Sequence, residues 1–130
     1  MQGDSVAGAV PRKVLVIDDN AEAADMLAQL LVALGADAAS AHSARSACAH
    51  LAESVADIIF LDIGMPDMDG YELAELFRNE MHIPSHIIAL TGYSSDEVRE
   101  KALRSGCTEV LVKPVGLPDL RRALSEYLPV

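Results

Sequence analysis

Four short apolar runs in this chain each end on a polar, reactive side chain, and no other feature constrains the fold as much. Val14-Leu-Val-Ile17 leads into Asp18 and Asp19, Ile58-Ile-Phe-Leu61 into Asp62, Ile87-Ile-Ala-Leu90 into Thr91, and Val110-Leu-Val112 into Lys113. Short runs of β-branched residues and leucine, separated by helix-length segments, have the pattern of parallel strands buried on both faces. In an open α/β sheet the ligand crevice lies outside the carboxyl ends of the strands. Three carboxylates, a hydroxyl and an ammonium are therefore expected to converge there, a set suited to phosphoryl transfer or to a metal ion.

Between the runs the chain alternates strand and helix without internal repeat. Residues 13–17 form the first strand. Ala23, Leu27, Leu30, Leu31 and Leu34 then recur at helical spacing, with Gly35 where a left-handed C-terminal cap is wanted. Residues 37–41 make a weak, alanine-rich strand suited to a sheet edge. Ser43 caps a second helix reaching Leu51. The strand at residues 58–61 is followed by a turn through Met65, Pro66, Asp67 and Met68, then by a helix carrying Leu73, Leu76 and Phe77. Residues 96–104 form a fourth helix closed by Gly106, and Pro118 opens a fifth from a first-turn position. Five βα units make one α/β domain with a doubly wound parallel sheet. Residues 1–11, rich in Gly, Ala and Ser and lacking periodicity, read as a loose tail or linker, leaving 12–130 as the domain.

Composition narrows the function classes. A 130-residue chain with 51% hydrophobic residues can build a core without disulfides or a structural metal. Twenty acidic residues against ten basic give a formal charge of −10, which opposes binding to nucleic acid or anionic lipid. Cys48 and Cys107 have neither zinc-site nor redox-pair spacing and read as reduced, partly buried thiols. No apolar run reaches membrane-spanning length, and residues 6–10 are too short for a signal sequence, so a soluble, cytoplasmic protein is expected. Pro84 between His82 and His86 argues against a helical metal face there, and both histidines read as unpaired. His42 and His50 carry no sharper reading. Arg99, Lys101, Arg104, Arg121 and Arg122 read as a solvated face of the last two helices.

Four segments together resemble the landmarks of bacterial response-regulator receiver domains. They are Val14-Leu-Val-Ile-Asp18-Asp19-Asn20, Leu61-Asp62-Ile-Gly64-Met65-Pro66-Asp-Met-Asp69-Gly70-Tyr-Glu-Leu73, Ala89-Leu-Thr91-Gly92-Tyr93 and Leu111-Val-Lys113-Pro114-Val115. Singly each is weak; in order and at family-like spacing they are specific. The resemblance covers about residues 12 to 128 and implies a flavodoxin-like receiver fold, five parallel strands in the order 2-1-3-4-5. It implies that Asp62 is the phosphoacceptor, whose carboxylate attacks phosphorus to form an acyl phosphate. Asp18 and Asp19 match the acidic pair that, with Asp62 and the Gly64 backbone carbonyl, holds Mg²⁺. Lys113 matches the ammonium paired with Asp62, and Thr91 the hydroxyl that moves to the phosphoryl group. Lys113-Pro114 matches a family cis bond.

Two positions depart from the commonest receiver pattern. Val110 stands where an aromatic ring often relocates on phosphorylation, which puts signalling through that switch in doubt. Gly64 and Tyr93 flank the expected phosphoryl position, and Tyr93 could either shield it or stay outside. Residues with simpler readings are Met65, Pro66 and Met68 as turn and packing residues, and Gly70 as a backbone requirement.

The reading that follows is a phosphoacceptor signalling domain rather than an enzyme, limited to self-phosphorylation and autodephosphorylation. It would take its phosphoryl group from a histidine kinase or a histidine phosphotransfer protein and signal by conformational change or onward transfer. A monomer or weak dimer is expected, either a single-domain response regulator or a receiver from a hybrid kinase, with no room before Val130 for an output domain. The alternative is a small phosphatase of the haloacid dehalogenase type, but the second Asp its nucleophile requires two residues on would here be Asn20 after Asp18.

Overall fold

The computed structural model describes residues 11–66 and 69–127. The expected tail lies outside them except for Pro11, as do Asp67 and Met68 of the expected turn. Strand and helix alternate from one end to the other: β1 (Lys13–Ile17), α1 (Ala21–Ala33), β2 (Asp37–Ala41), α2 (Ala44–Glu53), β3 (Ile58–Asp62), α3 (Gly70–Asn79), β4 (His86–Thr91), α4 (Asp96–Arg104), β5 (Glu109–Val112) and α5 (Leu117–Glu126). The strands form one parallel sheet in the order β2-β1-β3-β4-β5, as the resemblance implied.

Side-chain alternation along the strands divides the interior in two. Leu15, Ile17, Ile59, Leu61, Ile87, Ala89 and Val110 face one side and pack with Ala47 and Leu51 of α2, Leu73 and Phe77 of α3, and Ala102 of α4. Val14, Val16, Ile58, Phe60, Ile88 and Leu90 face the other and pack with Leu31 of α1 and Leu120 and Ala123 of α5. Every residue of β3 is buried, which is why the three central strands read as unbroken apolar runs. β2 lies at an edge, its alternating exposure matching its weak sequence signal.

Helix ends follow local chemistry. Asn20, Ser43, Asp69 and Ser95 each place a side-chain oxygen on an early amide of the helix that follows, satisfying donors that have no intrahelical partner. Gly35 and Gly106 close α1 and α4 at φ of 99° and 108°, a region that L side chains rarely enter. The Lys113-Pro114 bond is cis.

Three expectations require correction. The buried stripe of α1 is Ala24, Ala28 and Leu31, whereas Ala23 and Leu30 are exposed and Leu27 and Leu34 half-buried. Small alanines let the helix approach the sheet closely, and the bulkier leucines are displaced to its flank. His86 does not stand alone: its ring stacks on Tyr127 with centroids 4.6 Å apart. Arg122 is not simply solvated, since it grips Glu109 with two hydrogen bonds of 2.9 and 3.2 Å. Both cysteines are free, Cys107 buried and Cys48 half-buried, as expected. Among the described residues no helix is long and apolar enough to cross a membrane.

Candidate functional site

Strand register brings the reactive side chains to one end of the sheet. Ile17 pairs with Leu61, so Asp18 lies across from Asp62. Asp62 pairs with Leu90, and Thr91 with Val112, so Thr91 and Lys113 follow on adjacent strands. Backbone hydrogen bonds continue past the strand ends, from Ile63 N–H to the Leu90 carbonyl at 3.0 Å and from Lys113 N–H to the Thr91 carbonyl at 2.8 Å.

Asp62 is the centre of the arrangement. It is 5% exposed; its Oδ1 accepts the Gly64 amide at 2.8 Å and its Oδ2 accepts Lys113 Nζ at 2.8 Å. Lys113 is the more open partner. Burial opposes its charge, but the bond to Asp62 and the charges of Asp62, Asp18 and Asp19 outweigh it and raise the ammonium pKa. Such a charge-assisted bond orients the carboxylate.

Asp18 is 7% exposed and accepts the Asn20 amide at 3.0 Å. Its pKa is raised, first by burial and then by Asp62 beside it, against the lowering effect of the Asn20 hydrogen bond. Two buried carboxylates side by side repel and favour either a shared proton or a cation. Asp19 differs. It is half-buried and lines a separate cleft with His42, Asp69 and Glu72, although its charge still reaches Lys113. Asp18 continues the β1–β2 ladder through its amide to the Ala41 carbonyl at 3.1 Å, and the neighbouring side chain leaves on another side. Among the described residues, no three His, Cys, Asp or Glu side chains gather closely enough to hold a metal ion. Asp18 and Asp62 form the close pair, and Asp19 stands between Lys113, on which its charge acts, and the adjoining cleft.

The donor set nonetheless suits Mg²⁺. This hard cation takes oxygen ligands and retains several waters, so one or two carboxylates and a backbone oxygen are enough protein ligands. Asp18 and Asp62 would supply the carboxylates, with the exposed Gly64 next to them.

Thr91 is 6% exposed, and its hydroxyl is committed within its own turn: Oγ1 donates to the Tyr93 carbonyl at 2.8 Å and accepts the Tyr93 amide at 3.2 Å. Tyr93 is 74% exposed, which answers the open question: its side chain stays outside. Val110 is buried in the core on β5, beside Ala89 of β4.

Two further features escaped sequence reading. A cleft of about 330 Å³ beside Asp18 and Lys113 is lined by Met26, Leu30, Pro114 and Val115; its signal was the surplus of large apolar residues on α1. The thioether of Met65 accepts the Asp19 amide at 3.2 Å, for which spacing gave no cue.

Comparison with known proteins agrees with this geometry. Residues 14–125 match the family model for the response regulator receiver domain. An uncharacterized 14.6 kDa protein from Leptolyngbya boryana is 37% identical over 118 residues, covering 88% of each chain. The sensor histidine kinase RcsC of Salmonella typhi is 32% identical over 114 residues, which cover 88% of this chain but 12% of that protein. The match to the rice two-component response regulator ORR21 likewise covers 17% of its length, so the chain spans only a small part of these longer relatives. Among solved structures, the chemotaxis protein CheY4 of Vibrio cholerae superposes with a TM-score of 0.84 at 29% identity, covering 92% of this chain and all of that one. The receiver domain of the Francisella response regulator 1452 gives 0.80 at 28%, covering 89% and 95%.

Proposed function

The chain belongs to the response regulator receiver domain family, and from that premise we propose that Asp62 accepts the phosphoryl group, with Lys113, Thr91, Asp18, Asp19 and Gly64 serving it. Being a receiver, it is a signalling domain of two-component systems. The observation that carries the assignment is the buried Asp62 carboxylate held from both sides by Gly64 N–H and Lys113 Nζ. In the proposed reaction an Asp62 oxygen attacks the phosphorus of a phosphohistidine. The new O–P bond forms as the N–P bond breaks, and the imidazole leaves with its electron pair and takes up a proton.

Lys113 then meets a phosphoryl oxygen with the same ammonium that now holds Asp62. The Thr91 hydroxyl must exchange its Tyr93 partners for the phosphoryl group, which couples the site to the segment between β4 and α4. Asp18, Asp62 and the Gly64 carbonyl, with Asp19 nearby, would hold Mg²⁺, which would supply charge neutralisation between the carboxylate and the phosphoryl oxygens. With Val110 in place of an aromatic ring, the change travels through Thr91 and its loop rather than through a relocating side chain.

A histidine kinase or histidine phosphotransfer protein is the proposed donor. The apolar cleft formed by Met26, Leu30, Pro114 and Val115 next to Lys113 offers such a partner a seat beside the reacting carboxylate. The domain is assigned to residues 12–130, acting in the cytoplasm as a monomer or weak dimer, without nucleic acid, and with self-phosphorylation and autodephosphorylation as its only catalysis. The test is incubation with a phosphorylated kinase or acetyl phosphate and Mg²⁺, followed by mapping of the labelled residue. Label on Asp62 is the expected result; label on another residue overturns the assignment.

A further inference from the structure

We infer that Met65 is a positioning residue for the metal site: its thioether sulfur holds the segment carrying Asp18 and Asp19 in register with Asp62. The inference rests on the metal reading given above. Each of three successive amides in that segment has a different acceptor. Asp18 N–H goes to the Ala41 carbonyl at 3.1 Å, Asn20 N–H to Asp18 Oδ1 at 3.0 Å, and Asp19 N–H to Met65 Sδ at 3.2 Å. The first ties the segment to β2 and the second ties it to itself. Among the described residues, only the third ties it to the chain that follows Asp62.

Met65 is built to serve as a fixed post. It is 7% exposed and packs in the same core as Ile17, Ala41, Ile63 and Leu73, so its rotamer freedom is already spent on packing. Its sulfur lies three residues past the phosphoacceptor, so any shift of this segment is transmitted to Asp19. A neutral sulfur is also the acceptor that suits this place. A carboxylate here would add repulsion to the Asp18–Asp62 pair, and a hydrocarbon would leave the amide without a protein partner. Asp19 needs such a tether because its carboxylate is not drawn into the Asp18–Asp62 pair and lines the neighbouring cleft.

The inference separates Met65→Leu from Met65→Gln. Leucine keeps the volume and loses the acceptor; glutamine keeps an acceptor at similar reach and loses apolarity. Two measurements on the folded protein decide it. In metal-free protein, hydrogen exchange at the Asp19 amide is expected to quicken in Met65→Leu and to stay near wild type in Met65→Gln. In calorimetric titration with Mg²⁺, the dissociation constant is expected to rise about fivefold in Met65→Leu and to recover in Met65→Gln, the size expected for one lost hydrogen bond. Because packing loss alone would affect the glutamine variant more, recovery there marks the acceptor rather than the core. Equal Mg²⁺ affinity in wild type and Met65→Leu, with wild type binding, overturns the positioning role alone. Absence of Mg²⁺ binding by wild type overturns the metal reading and this inference with it.

Discussion

Asp62 has both carboxylate oxygens committed before any phosphoryl group arrives, and that fixes what its replacement should do. Asparagine keeps an oxygen for the Gly64 amide but turns an NH₂ toward Lys113, so the ammonium loses its partner while the backbone stays in place. Asp62→Asn is expected to abolish phosphoryl labelling with the fold retained by circular dichroism; undiminished labelling would sink the assignment. The two glycines that flank this strand end give a second contrast. A Cβ on Gly70 would sit 2.7 Å from the Ile63 Cα, whereas one on Gly64 would meet nothing nearer than Asp62 Oδ1 at 3.5 Å. Gly70→Ala is therefore expected to cost about 1–3 kcal/mol in urea unfolding and Gly64→Ala little. The need at Gly70 is close approach to backbone. Side chains that end strands were legible at this scale because strand order and chemistry both pointed at them. Met65 was not, since a thioether acting as an acceptor has no pattern distinct from a thioether in a core.

Within elements, α5 is tied to β5 by a network that sequence spacing hides. Arg122 forks onto Glu109, thirteen residues earlier in the chain, and Tyr127 Oη donates to the same carboxylate, while the Tyr127 ring stacks on His86. Burial pushes the Glu109 carboxyl up, but the bonds from Arg122 and Tyr127 outweigh it and its pKa falls below the usual value. A depressed folded pKa means the contribution is present above the unfolded pKa, near 4.3, and is lost as pH drops through the folded one. Glu109→Gln is expected to lower stability by about 1 kcal/mol at pH 7, a modest figure because Arg122 is partly solvated. The difference from wild type should shrink as the pH is lowered from 7 to 3. Urea melts at the two pH values check it, and a difference that persists at low pH would assign the loss to packing. Apolar spacing hides the burial pattern of α1 as well. Hydropathy weighs leucine over alanine, and Ala24 and Ala28 are buried because they are small.

At the scale of the whole molecule, the site concentrates negative charge in a chain already at −10. Asp18 and Asp62 lie together in the interior and Asp19 stands close enough to act on Lys113. One ammonium cannot neutralise three carboxylates. Alternating βα units made a doubly wound parallel sheet legible in the sequence, and the strand order followed from the resemblance of the four landmark segments to receiver domains, but the separation of Asp19 from the pair depends on a turn that no residue pattern encodes. The resulting strain gives a stability prediction with a definite sign. Mg²⁺ binds the folded chain selectively, so at ten times its dissociation constant it should stabilise by about 1.4 kcal/mol, a rise in Tm of about 5 °C for a domain of this size. In chelator, Asp18→Asn should melt above wild type, because it removes repulsion against Asp62 while its amide oxygen can still accept the Asn20 N–H. Added Mg²⁺ should then help it less than it helps wild type. Asp19→Asn should show the same signs with smaller size, since that carboxylate faces the adjoining cleft. Thermal melts of the three proteins at matched ionic strength decide the matter. If saturating Mg²⁺ leaves the wild-type Tm unchanged, or if Asp18→Asn loses stability in chelator and gains as much from Mg²⁺ as wild type does, the carboxylate pair is not the metal site.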